Sequence, residues 1–142
     1  MQHRRAESRR KRALAAVARP PNDRGSATVQ IVVLMPVLFL LMFTGMQAAL
    51  IYHARTVAIA AAQEGARTAA AQFSSAAAGD AAAEQFIASA GGGDVLRGVT
   101  VTTTRDTTTA SVAVSGETMS VVPGWTPQIV QSASAPVERV TG

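Results

Sequence analysis

The chain has 142 residues, a formal net charge of +4 and no cysteine. That length leaves room for one small domain plus a membrane anchor, and the missing cysteine excludes both a disulfide scaffold and a thiolate metal site. Charge is split along the chain: before Gly25, eight Lys/Arg (Arg4, Arg5, Arg9, Arg10, Lys11, Arg12, Arg19, Arg24) face Glu7 and Asp23, whereas from Gly25 onward five Arg face seven acids. The high pI therefore belongs to the tail alone, which excludes a nucleic-acid-binding reading of the whole chain.

After the basic tail, no charged residue occurs from Gly25 to Tyr52. Within Val29–Ile51 the polar side chains are Gln30, Thr44 and Gln47. At ~1.5 Å rise per residue, roughly 20 helical residues cross a ~30 Å hydrocarbon core, so this run predicts a transmembrane helix at about 27–52. A soluble core helix of this composition needs a large surrounding core, which so short a chain cannot supply. A cleaved secretory signal has an apolar region of about 7–15 residues with a small-residue cleavage site close behind. Here the run is longer, Tyr52-His53-Ala54-Arg55 follows it, and Ala60-Ala61-Ala62 lies too far downstream. The basic flank puts the N-terminus in the cytoplasm and residues from about 53 onward outside, with the tail against anionic headgroups.

Residues 53–72 contain no proline, one glycine and many alanines, a strong helix composition that continues the membrane segment. Pro36 is expected to kink the helix or free a carbonyl, a defect that lipid requires a neighbour to cover. Small residues (Gly45, Ala49, Ala54, Ala58, Ala61, Ala62, Gly65, Ala66, Ala69) recur at spacings of three and four, making a face that another helix can approach closely.

Beyond Phe73, Ser74–Gly79 reads as a loop and Asp80–Ala90 as a short helix with Asp80 at its N-cap, ended by Gly91-Gly92-Gly93. Alternating apolar positions then predict strands over Val95–Thr104, Thr109–Ser115 and Ile129–Val137. Arg105-Asp106-Thr107 is the expected hairpin turn, and Pro123-Gly124-Trp125-Thr126-Pro127 a turn whose tryptophan packs over the sheet. The fold class is thus α+β: a long N-terminal transmembrane helix that continues outside the membrane, then a short helix and an antiparallel sheet of three or four strands. Its segments are a basic leader (1–25), the long helix (26–73) and a small extracytoplasmic domain (74–142).

Nothing in the sequence assembles a catalytic site. The histidines are His3 and His53, on opposite sides of the membrane in this topology, so no zinc site or Ser-His-Asp arrangement is expected. Lys11 is the only lysine, which excludes a phosphate-binding GxxxxGK loop. The expectation is a structural protein, not an enzyme, with no cofactor and no metal.

One junction carries the functional signal: Asp23-Arg24-Gly25-Ser26-Ala27-Thr28-Val29-Gln30, running on to Pro36. A charged leader that ends in glycine against an apolar helix resembles the precursors of type IV pilin-like proteins. More closely, it is similar to the TadE-like family of tight-adherence (Flp) pilus pseudopilins. In that resemblance Gly25 matches the residue before the bond cleaved by prepilin peptidase, Ser26 the mature N-terminus and Pro36 the family proline. Gly45, Tyr52-His53-Ala54-Arg55 and Glu64-Gly65-Ala66-Arg67 are similar to further family positions. Glycine suits a scissile position, because it allows unfolding and close backbone approach at low steric cost.

The family glutamate is Gln30 here. That carboxylate is taken to neutralise the mature amine of a neighbouring subunit within lipid, whereas a glutamine hydrogen-bonds without neutralising. The resemblance therefore implies a minor pseudopilin of a pilus or secretion pseudopilus. Its implied partners are the lipid bilayer, prepilin peptidase, other pilin or pseudopilin subunits and the pilus assembly machinery, with no nucleic acid. The alternative is an uncleaved single-pass envelope protein whose outer domain binds a partner.

Overall fold

The computed structural model describes residues 23–138, with side chains from residue 29 onward. Of the expected leader (1–25), residues 1–22 lie outside the described residues. The described chain divides into two units, one ending at Leu40 and the other beginning at Leu41.

Helix α1 (Asp23–Ala70) is one uninterrupted element of 48 residues. Pro36 sits within it and does not end it. A proline has no amide to donate, so the Val32 carbonyl four residues earlier loses its helical partner. In the first unit, every described side chain of α1, from Val29 to Leu40, is exposed and almost all are apolar.

The second unit is built on the remainder of α1. Its residues 41–46 are exposed, but from Gln47 onward one face is covered. Ala54, Ala58, Ala61, Ala62, Ala66 and Ala69 are buried at spacings of three and four, the stripe an amphipathic helix turns toward its core. From Ala54 onward the small-residue face is thus occupied by the protein's own domain, whereas Gly45 and Ala49 are exposed.

Helix α2 (Ala76–Ser89) crosses that face. It begins earlier than the sequence pattern suggests: Ser75, in extended conformation, is the N-cap, and its side chain accepts from the Ala78 amide at 3.2 Å. The loop expected over Ser74–Gly79 is therefore mostly helix, and Asp80 lies inside it. The serine offers the cap, and Ala76–Ala78 are strong helix formers, so nothing delays the start to Asp80. Gly79 is needed for packing instead. A Cβ on Gly65 would lie 2.8 Å from the Gly79 carbonyl oxygen, and one on Gly79 would lie 2.9 Å from that of Gly65. The two backbones touch, and only glycine permits it. Gly91, at φ 120°, ends α2, and a 3₁₀ turn (Gly92–Asp94) leads to the sheet.

The sheet has three antiparallel strands in the order β1 (Leu96–Arg105), β2 (Thr109–Thr118), β3 (Gln128–Pro136). Ala110, Val112 and Val114 of β2 are fully buried, and Ser111 and Ser115 face away. Register between β1 and β2 shifts between Arg97 and Thr100, where Gly98 takes φ 57°. This bulge changes the phase of β1, so that Leu96 and Val99, three apart, both face the core. The core joins α1, α2 and one face of the sheet through Ala58, Ala62, Ala83, Ile87, Leu96 and Val112, among others. Trp125, expected to pack over the sheet, is 48% exposed in the β2–β3 connection and is not part of the core cluster. The sheet's inner face is already filled by α1 and α2, which leaves an indole no room there.

Candidate functional site

The residues with a functional signature lie along α1, and its length separates them into an N-terminal junction, an apolar stretch and a junction with the domain. Gly25 and Ser26 fall in the first turn of α1. The first four amides of a helix have no intrahelical acceptor, and glycine costs about 1 kcal/mol relative to alanine in a helix. Unwinding this turn therefore breaks few hydrogen bonds, which makes the Gly25–Ser26 bond easy to extend. Gln30 and Pro36 lie further along, both exposed on a helix otherwise lined by Val29, Ile31, Val32, Leu34 and their neighbours. Among the described residues this is the one helix long and apolar enough to cross a membrane; its apolar window has mean hydropathy 2.3 and no buried share.

The apolar stretch meets the domain at Gln47. Although it lies in the uncharged stretch of α1, this residue is only 5% exposed, because the β2–β3 connection folds over it. Its Oε1 accepts from the Val121 amide at 2.8 Å and from the Ser120 hydroxyl at 3.1 Å, and its Nε2 donates to the Met119 carbonyl at 3.5 Å. One turn on, the Thr118 hydroxyl donates to the Leu50 carbonyl at 3.5 Å. A buried amide with all three partners rigidifies its loop, whereas a half-satisfied one would cost stability.

The far end of α1 is tied down by groups distant in sequence. Arg105 donates from Nη2 to the Ala71 carbonyl at 3.3 Å and from Nη1 to the Ser74 carbonyl. The Glu138 amide donates to the Ala70 carbonyl at 3.0 Å. These donors satisfy carbonyls that a helix C-terminus leaves open, and a guanidinium there also suits the helix dipole. In the β1–β2 turn, the amides of Thr108 and Thr109 donate to Asp106 at 2.8 and 2.7 Å, and the Thr108 hydroxyl at 3.0 Å. The Thr108 amide, then the Thr109 amide, then that hydroxyl hold the Asp106 carboxyl below the ordinary carboxylate range.

The two internal motifs divide by role. In Tyr52-His53-Ala54-Arg55 the alanine is buried and the other three are exposed. In Glu64-Gly65-Ala66-Arg67, Gly65 and Ala66 pack inward, while Glu64 and Arg67 form a surface ion pair of 3.8 Å. Such an exposed pair contributes little to stability. Sequence reasoning missed Gln47, Gly79 and Arg105. Only Gln47 carried a signal, as an amide inside an apolar run. Among the described residues, no group of three His, Asp or Glu side chains is arranged to hold a metal.

These features define a class: an α+β protein whose described residues hold one apolar, candidate membrane-spanning helix near the N-terminus, the C-terminal half of which is the spine of a small domain. Residues 25–67 match the family model described as TadE-like protein, which covers the Gly25–Ser26 junction, the apolar stretch and both internal motifs. That match supports a pseudopilin-like role associated with a Tad pilus. No curated protein and no solved structure matches the chain.

Proposed function

We propose that the protein is a minor pseudopilin of a tight-adherence (Flp) pilus or secretion pseudopilus, structural and not enzymatic. A prepilin peptidase cleaves it after Gly25 on the cytoplasmic side, and the domain lies outside. The observation that carries the reading is α1 itself: one helix whose first half is bare and apolar and whose second half is covered on one face by its own domain. A bare apolar helix needs lipid or neighbouring helices around it, and a pilin-like subunit uses both in turn. The family match over residues 25–67 supports the same reading.

Gln30 gives the subunit its minor character. After cleavage the amine of Ser26 is a cation at the edge of the hydrocarbon, where a partner carboxylate helps, and this chain has no acid between Gly25 and Glu64. The protein should therefore assemble beside a different subunit that supplies a glutamate.

N-terminal sequencing of the membrane-extracted protein tests the core of the proposal. With prepilin peptidase present the chain should begin at Ser26, and Gly25→Val should block this. A mature N-terminus at Met1 would favour the uncleaved envelope protein instead. A reporter fused after Gly142 should be active only outside the cytoplasmic membrane. Gln30→Glu should raise self-association; long pili from the wild-type chain alone, unchanged by Gln30→Glu, would sink the charge argument.

A further inference from the structure

The β2–β3 connection, Met119–Pro127, has no role in the cleavage and assembly reading. It carries no charge, and neither does the chain from Thr118 to Val137. Its large apolar side chains face outward: Met119, Val122 and Trp125 are 38, 44 and 48% exposed. The sheet's inner face is packed against α1 and α2 and does not hold them. The loop's position is set by Gln47, which holds Met119, Ser120 and Val121 by three hydrogen bonds. Gln47 is also where α1 ceases to be bare on all sides: residues 41–46 are all exposed and mostly apolar.

From these observations we infer that the Met119–Pro127 loop is a lipid contact, seated in the headgroup layer at the domain end of the apolar helix. The inference rests on α1 spanning a membrane. With Gln47 sealed by the loop, the lipid-facing stretch is Val29–Met46, which at ~1.5 Å per residue is roughly 27 Å long, close to a hydrocarbon core of ~30 Å. The loop then begins where the hydrocarbon ends. Tryptophan and tyrosine concentrate at that depth because an amphipathic ring suits the boundary between hydrocarbon and water. Trp125 occupies the loop, and Tyr52, 73% exposed, lies little more than one turn beyond Gln47. A protein partner would be expected to find charge or a hydrogen-bonding rim around the patch, whereas the loop's uncharged side chains suit a lipid surface. The loop thus adds a second lipid contact beside the helix.

Trp125 is the chain's single tryptophan, so the full-length protein reports on its own loop. The protein is reconstituted in phosphatidylcholine vesicles containing lipids brominated near the headgroup or near the acyl terminus. A parallel Trp125→Phe/Leu38→Trp chain reports on the helix. The expected result is Trp125 emission quenched most by the shallow bromines and Leu38→Trp emission quenched most by the deep ones. Quenching at position 38 with unquenched Trp125 overturns the loop contact and leaves the membrane reading intact, whether Trp125 is wet or shielded by protein. Absence of quenching at both positions overturns the membrane reading and the loop contact with it.

Discussion

The contact between Gly65 and Gly79 makes the sharpest test of how the domain is held together. Gly65→Ala is favoured by local propensity, which gives about 1 kcal/mol for replacing glycine by alanine inside a helix. Packing opposes it. The new Cβ would stand 2.8 Å from the Gly79 carbonyl oxygen, 3.1 Å from the Ala83 Cβ and 3.3 Å from a Val112 methyl. The first of these is backbone and the second is attached directly to it, so no side-chain rotation relieves them, and α2 as a whole must shift by roughly half an ångström. A gap of that size forfeits a quarter or more of each dispersion contact it opens. Overpacking in a tight core costs about 1–3 kcal/mol, and a clash against backbone belongs near the top of that range. The net expectation is a loss of about 2 kcal/mol. Amide hydrogen exchange of Val112 and Val114, in the centre of β2, measures it in full-length protein in detergent micelles. Gly79→Ala should behave alike, since its Cβ would meet the Ala69 Cβ at 2.8 Å and the Gly65 carbonyl at 2.9 Å. The double variant should cost less than the sum, because one displacement of α2 serves both. If Gly65→Ala is neutral, or stabilises by the propensity term, the helix crossing is not close-packed and the reasoning fails.

Three further outcomes follow from local geometry. Phe73 takes φ 61° with 95% of its surface exposed, so Phe73→Asn, which tolerates that conformation, should raise stability by about 1 kcal/mol at no cost in burial; a fall in thermal midpoint would contradict this. Gln47→Leu leaves the Val121 amide without its 2.8 Å acceptor and should cost about 1–3 kcal/mol, with exchange at Val121 accelerating more than at Val112. Asp106 has a folded-state pKa below its unfolded value, so its contribution is present above the unfolded pKa and is lost as pH falls through the folded one. Protection of the Thr108 and Thr109 amides, taken relative to their intrinsic exchange rate at each pH, should therefore fall in acid, and Asp106→Ala should abolish that change.

The long apolar helix, its continuation and the strand pattern were legible in the sequence, because each depends on a property that repeats along the chain. An uncharged run needs no tertiary partner to be recognised, nor does alternation such as Ala110, Val112, Val114. The change of composition at Gly25–Ser26 is visible in the same way, and the family match over residues 25–67 begins there. What the tertiary structure decided are the places where distant residues meet. Ser75 rather than Asp80 caps α2, a choice made by which side chain reaches an open amide. Leu96 joins the core only because the bulge at Gly98 changes the strand's phase, which alternation cannot anticipate. Trp125 lies outside the core, whose place against the sheet's inner face is taken by the alanines of α1 and α2. Gln47 reads as a polar interruption of a membrane helix, yet it is the residue that fastens the β2–β3 loop, seventy-four positions away at Val121. Local sequence sets what each segment becomes; close approach between segments depends on shape, and shape exists only once they are packed.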